Sequence, residues 1–212
     1  MDPHFSDDEQ LAKLKDWWKR NGTAIVWGGI LGISVVVGTT GWRYYLERRA
    51  EQASGLYQQM LRLEWDGSLD EASSKGLELR DGYAKTAYAG KSALILAKIK
   101  FNQGERDAAM KQLKWAIDNS TETATQHAAR LRLAYLLLDE GELDEARTYL
   151  DVQETGGFQS EYEELSGDLY VAAGQSAEAL SSYQRALDTL PVGSRHHDIL
   201  RMKLDDVTTE KQ

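Results

Sequence analysis

Four histidines, His4, His127, His196 and His197, are the residues best suited to metal ligation or general-base work. Their spacing supports neither, because no pair falls in the H-E-x-x-H arrangement that sets two ligands on one helical face. His196-His197-Asp198 could hold a stray transition metal, and reads more simply as a polar turn before a last helix. Carboxylates abound, as in Asp139-Glu140 and Glu161-Glu163-Glu164, but they sit among other charges and read as solvated helix faces. G-x-S-x-G, Walker A and G-x-G-x-x-G signatures are absent from the sequence. With no cysteine, disulfides, thiol catalysis, zinc-thiolate sites and a lipid-bearing Cys are excluded. No catalytic residue, cofactor or metal is expected, and the chain is read as not an enzyme.

What remains is surface, and a repeat organises it. The turns DGSLDEA (66–72), QGERDAA (103–109), EGELDEA (140–146) and AGQSAEA (173–179) place Gly67, Gly104, Gly141 and Gly174 at intervals of 37, 37 and 33 residues. Ala72, Ala109, Ala146 and Ala179 keep the same spacing. A glycine turn followed five places later by a small residue predicts helix–turn–helix repeats, with each glycine in a left-handed cap and each alanine at a close crossing. Only two prolines, Pro3 and Pro191, interrupt the chain, as expected of a helical protein. The last unit, with Gly167, Tyr170, Gly174, Ala179, Tyr183, Ala186 and Pro191, carries the tetratricopeptide pattern. The middle units match in part, and their 37-residue spacing predicts longer connections. The first is degenerate, with Met60 where a small residue is expected and Gly76 where a bulky one is.

The fold class is therefore all-α: a tetratricopeptide-like α-solenoid over residues 46–212, of about four helix pairs, preceded by one transmembrane helix. Residues 194–209 are read as a capping helix with Ile199, Met202 and Leu204 as its contacts. Stacked pairs form a concave groove lined by the first helix of each unit. The repeat register sends Leu94, Lys98 and Phe101, then Leu131, Tyr135 and Leu138, then Glu164, Asp168 and Val171 toward it. Of these, Lys98, Phe101, Leu131, Tyr135 and Asp168 are the candidate protein-binding residues, although Leu131 and Leu138 suit the core better than Lys98 and Tyr135 do. Such a groove suits an extended or helical segment of another protein.

Residues 24–42, AIVWGGILGISVVVGTTGW, carry no charge. As a helix they would reach about 28 Å, close to the hydrocarbon thickness of a bilayer. Trp17, Trp18, Lys19 and Arg20 precede the run and Arg43, Tyr44 and Tyr45 follow Trp42, an interfacial belt at each end. The run is longer than a signal-peptide core and lacks a convincing cleavage site, so residues 24–45 read as an uncleaved anchor in the lipid bilayer. Residues 1–23 form a short leader, in which Ser6-Asp7-Asp8-Glu9 has capping-box spacing and Leu11, Leu14 and Trp18 share a helical face. Asn21-Gly22 predicts a break before the span. Within the span, Gly28 and Gly32 form G-x-x-x-G, and Ser34 and Gly38 repeat the spacing one face over. These small residues offer a packing face for another helix, or reflect how common glycine is in membrane helices. Four basic residues before the span against Arg43, Arg48 and Arg49 after it favour a cytoplasmic N-terminus slightly.

The two parts differ in charge. Residues 51–212 carry eighteen Lys and Arg against twenty-eight Asp and Glu, a net of −10. An acidic domain without basic clusters argues against nucleic acid.

Trp18-x-x-Asn21-Gly22, the span through Gly28 and Gly32, and Gly41-Trp42-Arg43-Tyr44-Tyr45 together resemble the start of the ancillary SecYEG translocon subunits of the YfgM type. The resemblance covers essentially the whole chain. It implies a bacterial inner-membrane protein with a cytoplasmic N-terminus, a periplasmic repeat domain and association with SecYEG. It also implies partnership with the periplasmic chaperone PpiD and contact with exported or unfolded polypeptide. The family has no catalytic residues to transfer. The residues by themselves leave open an envelope scaffold for cell-wall or division proteins, or a cytoplasmic-facing regulatory repeat module.

Overall fold

In a computed structural model, residues 7–191 and 193–209 are described; His4, Pro3 and the start of the capping box at Ser6 lie outside them. Two units are present, Met1–Arg49 and Ala50–Gln212. The described residues contain nine α-helices and no strand.

The first unit is built on helix α1, which spans Asp7–Trp65. It runs through Asn21-Gly22 without the expected break. A left-handed cap would require positive φ at Gly22, which has none. Asn21 Nδ2 instead donates to the Trp17 carbonyl at 3.0 Å, and the Trp18 indole lies over Gly22, where a Cβ would meet it at 3.1 Å. In an apolar run every backbone amide gains from an internal partner, so the helix continues. Only 6% of its most apolar 18-residue stretch is buried, whereas the core helix of a soluble protein is mostly covered. Its length and composition suffice to cross a membrane.

The second unit begins with the end of α1 and continues with α2 (Leu69–Gly82), α3 (Ala87–Asn102), α4 (Arg106–Asn119), α5 (Thr123–Asp139), α6 (Leu143–Leu150), α7 (Gln159–Ala172), α8 (Ser176–Thr189) and α9 (His197–Thr209). The four repeat glycines end the first helix of each pair at φ +80, +79, +80 and +71. The amide of the residue after each glycine reaches back five residues, as in Glu105 N–H to the Lys100 carbonyl and Glu142 N–H to that of Leu137, both at 2.9 Å. This is the Schellman closure, which satisfies carbonyls the helix end would otherwise orphan. Asp70, Asp107, Asp144 and Glu178 then place a carboxylate in the first turn of the following helix, where the helix dipole favours it.

The four closing alanines are fully buried, and three apolar clusters follow one another along the stack. Bulk at one crossing is exchanged between repeats. Gly167 on α7 faces the Tyr183 ring on α8, whereas in the first repeat Met60 fills the corresponding place on α1 and Gly76 on α2 receives it. A Cβ on Gly76 would lie 2.7 Å from Met60 Cε. The degenerate repeat is thus complementary, with its large and small partners swapped.

The 37-residue spacing has a different cause from the one expected. Its extra length lies in the helices, α3 and α5 having 16 and 17 residues against 14 in α7. The longest connection, 151–158 with a 3₁₀ turn at Gly156–Phe158, belongs to the 33-residue unit, where α6 has only eight residues. In α9, Leu200 and Val207 are buried and Leu204 packs beside them, while Ile199 and Met202 are 43% and 58% exposed. The face repeating as 200, 204 and 207 meets α8, so two of the three expected contacts are turned outward.

Candidate binding groove

A groove of about 540 Å³ opens among α3, α5, α7 and α9. Leu94, Ala97, Leu113, Leu131, Leu136 and Leu165 give it an apolar surface, with Phe101 and Tyr135 as its aromatic members. It brings together all five candidate residues, Lys98, Phe101, Leu131, Tyr135 and Asp168. Tyr135 is 58% exposed, and Leu131, better suited on sequence to the core, is half-buried and lines the groove. Leu138 packs against the central core cluster, and Val171 is exposed but outside the lining.

The charged groups are mostly engaged within the domain. Lys98 Nζ donates to Glu64 at 2.8 Å. Asp168 accepts from Tyr183 Oη at 2.7 Å and from Lys203 Nζ at 2.7 Å. Glu164 pairs with Lys203 at 2.8 Å and with His196 Nε2 at 2.6 Å. Burial opposes the Lys203 charge, but the hydrogen bonds and charges of Asp168 and Glu164 outweigh it and hold the ammonium above its ordinary range. Burial, then the bond to Asp168, pushes the Tyr183 phenol up as well. Asp168 therefore lines the groove while serving as an anchor for α9. Among the lining residues, Arg132 and Glu161 are exposed and make no ion pair with another described residue.

Lys203, Arg132, Glu161 and Leu165 were not singled out from sequence. A usable signal for Lys203 exists in the repeat offset. It follows Asp168 by 35 residues, near the 33 separating Arg106 from Asp139 and the 31 separating Lys114 from Glu145, each an ion pair between neighbouring units.

A second polar contact stands apart from the groove. His127 on α5 is buried, bonds through Nδ1 to Tyr162 Oη at 2.9 Å and lies against Phe158 with centroids 5.3 Å apart. Burial, then the Arg130 charge, holds its pKa below the ordinary value. His196 lies just before α9, and His197 Nδ1 is 3.7 Å from Asp198. Among the described residues no three His, Cys, Asp or Glu are grouped to hold a metal ion. The geometry offers an apolar surface with a few fixed charges, suited to holding a chain segment.

Stacked helix pairs, glycine closures and a groove lined by first helices define a tetratricopeptide repeat-like domain, and the profile of that family matches residues 15–209. The ancillary SecYEG translocon subunit of Haemophilus influenzae is 30% identical over 208 residues, spanning 96% of this chain and 98% of its own. That of Neisseria gonorrhoeae is 29% identical over 211 residues, covering 98% and 100%, and that of Escherichia coli K12 is 23% identical over 210 residues with the same coverage. The chain belongs to the family of ancillary SecYEG translocon subunits. Among solved structures, BtubC from P. vanneervenii superposes with a TM-score of 0.50 at 17% identity, over 78% of this chain and 84% of that one, a likeness of fold alone.

Proposed function

We propose that this protein is a non-enzymatic adaptor of the bacterial inner membrane. Residues 24–45 anchor it beside the SecYEG translocon, and the repeat groove holds a periplasmic chaperone of the PpiD type or a newly exported chain. The observation that carries the reading is similarity to relatives named as translocon subunits along nearly their full length. An exposed, apolar groove with Tyr135 at its surface supports the binding role. The N-terminus is assigned to the cytoplasm and the repeat domain to the periplasm, in keeping with the charge bias across the span. Gly28 and Gly32 offer one lateral packing face, and Ser34 and Gly38 repeat the spacing one face over; added Cβ atoms at the three glycines would meet nothing within 4 Å, so the helix surface there is open.

A photoreactive residue replacing Tyr135 in living cells tests the groove. Crosslinks to a translocon component, a chaperone or an exported chain are expected, and recovery of none of them refutes the assignment. Gly28→Ile with Gly32→Ile should lower co-purification with SecYEG in mild detergent, and an undiminished yield rejects the packing role.

A further inference from the structure

Counted from the turn glycine of each repeat, the residue six places earlier is Leu61, Lys98, Tyr135 and Asp168 in turn. The last three line the groove, and Leu61 holds the same register in the first repeat with 39% exposure. One turn along α1 comes Trp65, 89% exposed, the highest value among the exposed large apolar side chains of the described residues. Side chains four apart share a helix face, so the first repeat presents an uncovered apolar pair at that end of the row. The core cluster beneath uses Ala53, Leu56, Tyr57, Met60 and Leu63 and has no place for either.

Next to this pair, in the groove lining, comes Lys98, whose side chain is 61% exposed although it is bonded to Glu64. Beyond it come Phe101, then Arg132, which pairs with no acid among the described residues, beside Tyr135. The acids of the groove, Glu161, Glu164 and Asp168, are confined to α7. Along α1, α3 and α5 the surface therefore alternates apolar and cationic groups, with Lys98 and Arg132 against Glu64 leaving one positive charge in excess inside an acidic domain.

We propose that the binding surface extends past the cavity to Leu61 and Trp65, and that its occupant is a polypeptide segment with two large apolar side chains flanking an acidic one. This rests on the groove reading above and specifies its ligand. Packed helices lie about 10 Å apart, so two steps from α1 to α5 span about 20 Å. That is about six extended residues or about thirteen helical ones between the outer anchors.

Two fluorescein-labelled synthetic peptides of about 14 residues provide the test, each with leucines toward its ends and either Asp or Lys at the centre. Anisotropy is read with the full-length protein in detergent micelles. The Asp peptide should bind the more tightly, and Trp65→Ala should weaken it by about tenfold, the loss typical of an aromatic anchor. Lys98→Glu with Arg132→Glu should reverse the preference between the two peptides. Absence of binding, equal binding of both, or an affinity indifferent to Trp65→Ala overturns the proposal. The Tyr135 crosslink judges the groove separately, so a crosslink without peptide discrimination removes only the specificity argued here.

Discussion

Replacing Gly167 by alanine puts the repeat-crossing argument at risk in a single methyl group. The added Cβ would stand 2.9 Å from Tyr183 Cζ and nearer still to two other ring atoms. Tyr183 is 3% exposed and its hydroxyl is held by Asp168 at 2.7 Å, so the ring can retreat only by straining that bond. Overpacking of this kind costs about 1–3 kcal/mol, and weakening a hydrogen bond to a charged acceptor adds about 1–2 kcal/mol. Alanine returns about 1 kcal/mol through its higher helix propensity. The net loss is about 1–4 kcal/mol, which for a domain of this size lowers Tm by about 3–12 °C.

The measurement is a thermal melt of the full chain in mild detergent, followed by circular dichroism. Gly55→Ala is the control, because a Cβ there meets nothing within 4 Å and only the propensity gain remains. The central repeats suggest the rescue: the same two positions hold Ala97 with Leu113 and Ala134 with Leu150. Gly167→Ala combined with Tyr183→Leu should therefore be less damaging than the sum of the two changes, by about 1–3 kcal/mol of coupling. A Tm for Gly167→Ala equal to that of Gly55→Ala, or strict additivity in the double variant, refutes the crossing argument.

Three further outcomes follow from the same geometry. Gly104→Ala must hold a φ of +79 with a side chain, and should lower Tm by about 3 °C, near 1 kcal/mol, in the same melt. Lys203→Met leaves Glu164 and Asp168 without their shared cation, at about 2 kcal/mol after allowing for partial exposure; faster amide exchange through α9 should report it, and Lys203→Arg should restore protection. His127 is held below its ordinary pKa, so the unfolded chain takes up the proton first as pH falls. Its contribution is complete above about 6.5 and declines as pH falls below that value, which His127→Gln should show as a shallower loss of Tm between pH 7 and pH 5.

Features tied to a repeating spacing were legible in the sequence, and features set by a single rotation or contact were not. Gly104 and Ala109 announce a turn and a crossing because the backbone and the close approach admit few residue types there. The row Lys98, Tyr135, Asp168 follows from register alone. In α9, Ile199 and Met202 share one face and Leu200, Leu204 and Val207 another, and packing on α8 selects the second, whose i, i+4, i+7 spacing is the continuous one. Asn21-Gly22 carries a turn signal that Trp18 cancels by covering the glycine, a contact that pair preferences do not encode. Met60 and Gly76 read as a defective repeat when each position is compared with its own pattern, and as an intact one when the two are taken as a pair.

Charge shows the same distinction at the groove. A net of −10 over residues 51–212 would direct attention to basic ligands. At the groove, however, Glu164 and Asp168 already hold Lys203 and His196, and that network fastens the capping helix. An incoming basic side chain would have to displace a half-buried ammonium bonded to both acids, and its gain would be offset by the pairs it breaks. Arg132 asks for no such exchange, because among the described residues no acid pairs with it. The α3 and α5 side of the groove thus favours a ligand charge opposite to the one the whole-domain balance suggests, whereas α7 leaves Glu161 unpaired, since a partner responds to the charges left unpaired at the surface it touches.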